Sequence, residues 1–286
     1  MTNRKILVAD SGSTKTDWKF ISEENEFLLS SPGINPYYQD TASIKQSLGT
    51  DSNFQKISQH QPTEIFFYGA GCSTIENQEI VRNALAHFFP SASIFVSHDL
   101  LAAARSLCGK NPGIACILGT GSNSCYFDGQ EIVENLPNLG FWLGDEGSAG
   151  FMGKELVVKW FHKEMPNHLW KKFNDTYKIE RDSFLDKVYH QDYPNRFMAG
   201  FAPFLSENIS EIWCRDLVAN AFRLFLNRFV LPYPNSKTIP IHFLGSIANH
   251  FEDILKIELK QMDLIQGKIQ GSAIVDLADF HWNNLF

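Results

Sequence analysis

One short run near the start limits what this chain can fold into more than any other. Ile6-Leu7-Val8-Ala9 is apolar and Asp10 closes it. Ser11-Gly12-Ser13-Thr14-Lys15-Thr16 follows, and Asp17-Trp18-Lys19-Phe20-Ile21 is again β-prone. The pattern predicts a strand, a turn of glycine and hydroxyl residues, and a returning strand. Such a turn gathers backbone N–H groups and hydroxyls at one point, a cradle for an anion such as phosphate. A plain hairpin turn would have the same composition. Asp10, at the mouth of the first strand, suits a metal ion held through water. The two commoner phosphate motifs do not fit. A Walker loop needs Gly before Lys-Ser/Thr and a helix after it, whereas Thr14 precedes Lys15 and β-prone residues follow. A dinucleotide fingerprint also needs a helix after its glycines.

The pattern returns once. Ile114-Ala115-Cys116-Ile117-Leu118 is an apolar strand, Gly119-Thr120-Gly121-Ser122-Asn123-Ser124 a small-residue turn, and Cys125-Tyr126-Phe127 the start of the next strand. Overlaying the glycines puts Gly12 on Gly121, Ser13 on Ser122 and Asp10 on Gly119, so the carboxylate belongs to the first copy alone. Two such cradles suggest a duplicated fold whose halves face each other across a cleft.

The rest of the chain reads as alternating strands and helices. Strands are expected at 26–31, 64–68, 94–96, 239–244 and 265–269. Helical stretches are expected at 40–57, 77–89, 100–107, from Gly147 to about His162, across about 180–230, after Gly245-Ser246, and from about Ala273. This implies an N-terminal domain over 1–109, on which a C-terminal helix, 273–286, packs back. A C-terminal domain over 110–272 carries a helical insertion at about 148–230. At 286 residues and 44% hydrophobic, the chain has the length and apolar content for two such cores. Its net charge of -7 argues against a partner tracked by its phosphate backbone, and so against nucleic acid. No apolar run approaches a membrane span or a signal-peptide core. The five cysteines, at 72, 108, 116, 125 and 214, form no CxxC pair. They read as reduced thiols in a cytoplasmic protein.

Five pieces in order carry a family likeness: Asp10-Ser11-Gly12-Ser13-Thr14-Lys15-Thr16, Gly33-Ile34-Asn35-Pro36, Gly119-Thr120-Gly121-Ser122-Asn123, Leu143-Gly144-Asp145-Glu146-Gly147-Ser148-Ala149 and Phe243-Leu244-Gly245-Ser246. Together they resemble the sugar-kinase branch of the actin/Hsp70/hexokinase-type ATPases. More narrowly, they resemble the N-acetylglucosamine kinase group of the BadF/BadG/BcrA/BcrD-type ATPase family. The tail after Gly267 matches less well. The resemblance implies an α/β fold of duplicated ribonuclease H-like domains facing a central cleft. It also implies ATP and Mg²⁺ as cofactors and a small sugar as substrate, most simply N-acetylglucosamine phosphorylated at its 6-hydroxyl. It assigns Gly12, Ser13, Thr14 and Lys15, then Thr120, Gly121 and Ser122, to the phosphates. Gly245 and Ser246 go to the adenosine, Asp10 to Mg²⁺, and Asn35, Asp145 and Gly119 to the sugar.

Asp99 is the candidate general base, placed just past a strand end where open α/β sheets hold their ligands. Before Leu100-Leu101-Ala102-Ala103 the local sequence favours a helix cap, one residue could do both, and the family resemblance turns the reading to catalysis. Asp145 could instead cap the helix after Gly147, and Asn35 could make an Asx turn before Pro36. Adjacent Asp145 and Glu146 do not suit a glycosidase pair, because neighbouring residues rarely point at one bond. Two other functions share the fold. One is an ATP-driven dehydratase activator, which needs exposed thiolates for an iron–sulfur cluster. The other is a non-catalytic ATP- or sugar-binding protein. The aromatic-rich helical stretch could supply a homodimer face.

Overall fold

The apolar run at the start becomes the middle strand of a sheet. The structure, a computed structural model, describes residues 4–12 and 14–283. β1 (Lys5–Ser11) turns antiparallel into β2 (Lys15–Ser22), and β3 (Glu26–Pro32) pairs antiparallel beyond it. Next come α1 (Thr41–Thr50), α2 (Ser52–Ser58), β4 (Glu64–Gly69), α3 (Ile75–Phe88), β5 (Ser93–His98) and α4 (Asp99–Cys108). The sheet order is β3-β2-β1-β4-β5, with β1, β4 and β5 parallel. The stretch 40–57, expected as one helical run, is two helices. Asp51 ends α1 and its carboxylate accepts the Phe54 N–H at 2.8 Å, so it caps α2 and breaks the run.

β6 (Gly113–Leu118), β7 (Ser122–Phe127) and β8 (Ile132–Glu134) repeat the opening meander. A helical layer follows: α5 (Gly140–Leu143), α6 (Ala149–Phe161), α7 (Asn167–Tyr177), α8 (Arg181–Tyr189), α9 (Pro194–Ala199), α10 (Pro203–Glu207) and α11 (Ile212–Phe229). Then come β9 (Ile241–Leu244), α12 (Ser246–His250), α13 (Glu252–Gln261), β10 (Gln266–Gln270) and finally α14 (Ile274–Asn283). The second sheet runs β10-β9-β6-β7-β8. Taken from its middle strand outward, it has the order and strand senses of the first: two antiparallel neighbours on one side, two parallel on the other. The duplication expected from the two turns is a duplication of whole sheets.

The chain divides into two units: the described residues up to Lys110 together with those from Ser272, and Asn111–Gly271. In the first, Ile6, Leu7, Val8 and Ala9 are fully buried because helices cover both faces of the sheet. The pleat sends Leu7 and Ala9 into a core with Trp18, Phe54, Phe67 and Leu85. Ile6 and Val8 enter a second core with Tyr68, Ala102, Leu277 and Ala278. α14 thus packs on α4, β1 and β2, although the second unit precedes it in sequence. In the second unit, Phe173, Phe204, Phe222 and Phe225 anchor a large core between the sheet and the helical layer. Among the described residues, no helix is long and apolar enough to cross a membrane.

The fully buried Leu277 holds α14 to its sheet. Leu277→Ala is expected to cost about 2–5 kcal/mol in urea unfolding, the usual range for a buried Leu→Ala cavity. A loss below about 0.5 kcal/mol would mean that this helix contributes little to the unit.

Candidate active site

In the first unit, strand pairing places the cradle. Ser11 and Thr16 are the last paired residues of β1 and β2, and the Gly12 N–H donates to the Lys15 carbonyl at 3.0 Å. Ser11 Oγ lies 2.7 Å from Thr16 Oγ1 and accepts the Ile34 N–H at 3.1 Å. The Gly33 N–H donates to the Thr14 carbonyl at 3.0 Å. These bonds seat the Gly33-Ile34-Asn35 loop against the turn. Ser11 and Thr16 supply the fastening, and as hydroxyl residues bracketing the turn they could have been suspected from the sequence. Gly12, Thr14 and Lys15 are exposed, and Lys15 Nζ pairs with Asp17 at 2.9 Å. Ser13 lies outside the described residues.

Asn35 is buried and forms the Asx turn that was the alternative reading: Tyr37 N–H donates to its Oδ1 at 3.0 Å. Gly71, at φ +83°, lets this amide sit close, since a Cβ there would come within 2.4 Å of Asn35 Oδ1.

Asp10 and Asp99 belong to the same unit, at the C-terminal ends of β1 and β5 with β4 between them. Burial first, then the charges of Asp99 and Asp17, push the Asp10 carboxyl up to about 7; Lys15 and a hydrogen bond from the Ala273 backbone oppose this. Burial also holds Asp99 above the ordinary carboxylate range, with His98 opposing. Asp99 is not the cap of α4. β5 runs through His98, which takes the cap position without a side-chain hydrogen bond, and Asp99 is the first helical residue.

In the second unit the turn is shorter than expected. β7 begins at Ser122, where Leu118 and Ser122 make the last pair. The polar run Ser122-Asn123-Ser124 can be strand because Ser124 Oγ is bound by Phe229 O and Tyr233 Oη, at 2.7 and 2.9 Å. This pairing also corrects the overlay of the two turns. Ser11 matches Leu118, Gly12 matches Gly119 and Asp10 matches Ile117, since Ser11–Thr16 and Leu118–Ser122 are the last pairs of the two hairpins. Matching glycines had shifted the copies by two residues. The carboxylate still belongs to the first copy alone.

Gly119, Thr120, Gly121, Ser122, Asp145 and Gly245 come together. The Ala149 and Gly150 N–H groups at the start of α6 donate to the Gly119 and Thr120 carbonyls, at 2.8 and 3.0 Å. Ser122 N–H donates to Asp145 Oδ1 at 3.1 Å. Gly245, at φ +120°, passes so close that a Cβ there would meet the Leu118 carbonyl at 2.4 Å. Ser246 opens α12 next to it. Asp145 does not cap α6; Ser148 does, accepting the Phe151 N–H at 3.1 Å. Burial raises the Asp145 carboxyl, against the Ser122 N–H and Asn138. Its neighbour Glu146 is buried and ion-paired with Arg228, so the two carboxylates have separate partners.

A cavity of about 560 Å³ in the helical layer, lined by Phe141, Trp142, Lys154, Phe184 and Tyr189 among others, takes in none of these residues. All five cysteines are buried, and burial pushes the Cys72 thiol up to about 12 and that of Cys214 to about 11. Among the described residues, no group of three or more His, Cys, Asp or Glu could hold a metal ion by itself. An iron–sulfur site needs convergent thiolates, and these buried thiols do not provide them.

A scan against models of protein families gives no match, and a search of curated proteins gives none either. Solved structures do match. A Streptomyces griseus glucokinase of the ROK family, solved with glucose and AMPPNP, aligns over 97% of this chain and 100% of its own, at 13% identity and TM-score 0.54. A Chromobacterium violaceum protein provisionally named an N-acetylglucosamine kinase aligns over 98% of this chain and 99% of its own, at 14% identity and TM-score 0.74. At such identities the likeness concerns the fold: the repeated sheet is the ribonuclease H-like fold of the actin/Hsp70/hexokinase-type ATPases, present twice. A Porphyromonas gingivalis protein with the same provisional name is 39% identical over 98% of this chain and 99% of its own, with TM-score 0.92. On that identity, sustained along nearly all of both chains, this chain belongs to the sugar-kinase family of the Porphyromonas gingivalis protein.

Proposed function

We propose that the protein transfers the terminal phosphoryl group of ATP to a hydroxyl of an amino sugar, with the 6-hydroxyl of N-acetylglucosamine as the preferred acceptor, and that it falls in the BadF/BadG-type branch of the fold. The observation that carries this is the 39% identity to a protein provisionally named for that activity. Phosphoryl transfer depends on positioning and charge neutralisation more than on covalent chemistry. The residues divide between those tasks. Asp99 takes the proton of the attacking hydroxyl, and burial, by raising its carboxyl, makes it a stronger base at neutral pH. Asp145, Asn35 and Gly119 orient the sugar.

The Gly12–Thr14 turn, Lys15 and the Thr120–Ser122 turn bind phosphate oxygens through N–H groups, hydroxyls and charge. Lys15 leaves its exposed pairing with Asp17 at little cost to do so. Gly245 and Ser246 present bare backbone and a helix start to the nucleoside. Asp10 fits a dication: its charge is disfavoured by burial and by two neighbouring carboxylates, with Lys15 opposing them. Asp10 would hold Mg²⁺ there, and the ion would supply neutralisation of phosphate charge.

ADP release measured against N-acetylglucosamine, glucosamine, N-acetylmuramate and glucose is expected to be fastest with N-acetylglucosamine. ADP release that no sugar stimulates would contradict a kinase and favour an ATP-binding protein without phosphotransfer. Asp145→Ala is expected to raise the KM for sugar by roughly 10- to 100-fold, the worth of a charge-assisted hydrogen bond. The KM for ATP should change little; the reverse pattern would remove Asp145 from the sugar site.

Asp10 also gives a stability test. Its folded pKa, about 7, lies above the ordinary 3.8. The protonated carboxyl therefore stabilises the fold fully below about pH 4, and that contribution is lost as pH rises through about 7. In metal-free buffer, Asp10→Asn should melt at a higher temperature than the wild type at pH 8, with the difference gone by pH 4. A lower melting temperature for the variant at pH 8 would show that Asp10 is not held in an unfavourable charged state.

A further inference from the structure

We propose that Asn138 is the positioning residue for the Asp145 carboxylate, turning Oδ1 toward the protein and presenting Oδ2 to a substrate hydroxyl. The inference rests on Asp145 being a sugar-binding group.

Asn138 uses its whole hydrogen-bonding capacity. Its Nδ2 donates to Asp145 Oδ1 at 2.8 Å and to the Ser122 carbonyl. Its Oδ1 accepts the Gly140 N–H at 2.9 Å and the Asp145 N–H at 3.2 Å. Two donors and two acceptors are the amide's inventory. The amide orientation follows from these partners. If it were flipped, the oxygen would face a carbonyl and a carboxylate while the nitrogen faced two N–H groups.

The site is shaped around this side chain. Asp145 stands at φ +59°, a left-handed position that few residues other than glycine adopt, and its N–H there points to Asn138 Oδ1. Gly144 lets Asn138 approach, since a Cβ at 144 would come within 2.6 Å of its Oδ1. The protein's hydrogen bonds to the carboxylate, from Ser122 N–H and Asn138 Nδ2, both end on Oδ1. The carboxylate lies over Gly121, where a Cβ would meet Oδ2 at 3.1 Å and Oδ1 at 3.2 Å. Glycine at 121 therefore leaves both oxygens uncrowded on that side, and the two hydrogen bonds on Oδ1 leave Oδ2 for a substrate. Without Asn138, the carboxylate would keep one of its two fixed donors and could rotate, so Oδ2 would no longer be aimed.

The test is steady-state kinetics with N-acetylglucosamine and ATP on Asn138→Ala and the isosteric Asn138→Asp, each alone and combined with Asp145→Ala, with circular dichroism to follow the fold. Asn138→Asp keeps the acceptor for the two N–H groups but loses the donor. Both variants should raise the KM for sugar about tenfold, the worth of one hydrogen bond to a charged group, and leave the KM for ATP within about twofold. Neither should add to Asp145→Ala, as expected when one residue acts through another. An unchanged sugar KM, an equal rise in both KM values, or a full-sized effect on top of Asp145→Ala would overturn the proposal. If Asn138→Ala does not fold, Asn138→Asp decides by the same criteria. If Asp145→Ala alone leaves the sugar KM unchanged, the sugar-site reading fails and this inference with it. If Asp145→Ala acts and the Asn138 variants do not, this inference alone fails.

Discussion

Two half-buried carboxylates, near enough for the charge of Asp99 to act on Asp10, are the constraint on which the first unit turns. Asp10 stands near the end of β1 and Asp99 just past the end of β5, strands that lie two apart in one parallel array, and burial raises both carboxyls against the opposing charges of Lys15 and His98. The fold tolerates this because the strands beneath them are so completely buried. Ile6 to Ala9 leave β1 no freedom to move Asp10 elsewhere. A site that disfavours its own negative charge is poised for a cation or for a proton. A kinase needs both, one beside the phosphates and one removed from the attacking hydroxyl.

The second unit solves a different problem. Its turn offers little side-chain chemistry, so its shape must come from the backbone. The first N–H groups of α6 bind the Gly119 and Thr120 carbonyls, Ser122 is held by Asp145 and Asn138, and Gly245 packs against Leu118 with no room for a side chain. The helix start that would otherwise expose unsatisfied N–H groups is thereby used to stiffen the turn. The residue that the proposed function gives to the sugar is thus part of the same hydrogen-bonded assembly as the turn given to phosphate.

Much of this was legible in the chain itself, and the failures have physical reasons. The opening strand pair was readable because a run buried on both faces must be continuously apolar. The duplication was readable because both turns are small-residue runs between apolar strands. The register between the copies was not, since glycine identity does not report where strand pairing stops. The break at Asp51 was hidden because one carboxylate both ends a helix and starts the next. Asp99 looked like a cap because caps and helix starts share residue types, and only the length of β5 separates them. Asn138 escaped notice because an isolated asparagine in an irregular stretch has no periodicity; Gly140 two residues on, where an Asx turn would put it, was the sole hint. Family likeness supplied what spacing could not, namely which of several plausible carboxylates to follow.

The central claim is that Asp99 is the base that prepares the sugar hydroxyl. Single-turnover transfer of the terminal phosphoryl of ATP to N-acetylglucosamine, measured for Asp99→Asn together with ATP binding on the same sample, addresses it most directly. The account predicts transfer slowed by about 10²–10⁴-fold, the usual contribution of a positioned base, with ATP binding retained. Transfer at the wild-type rate would contradict it.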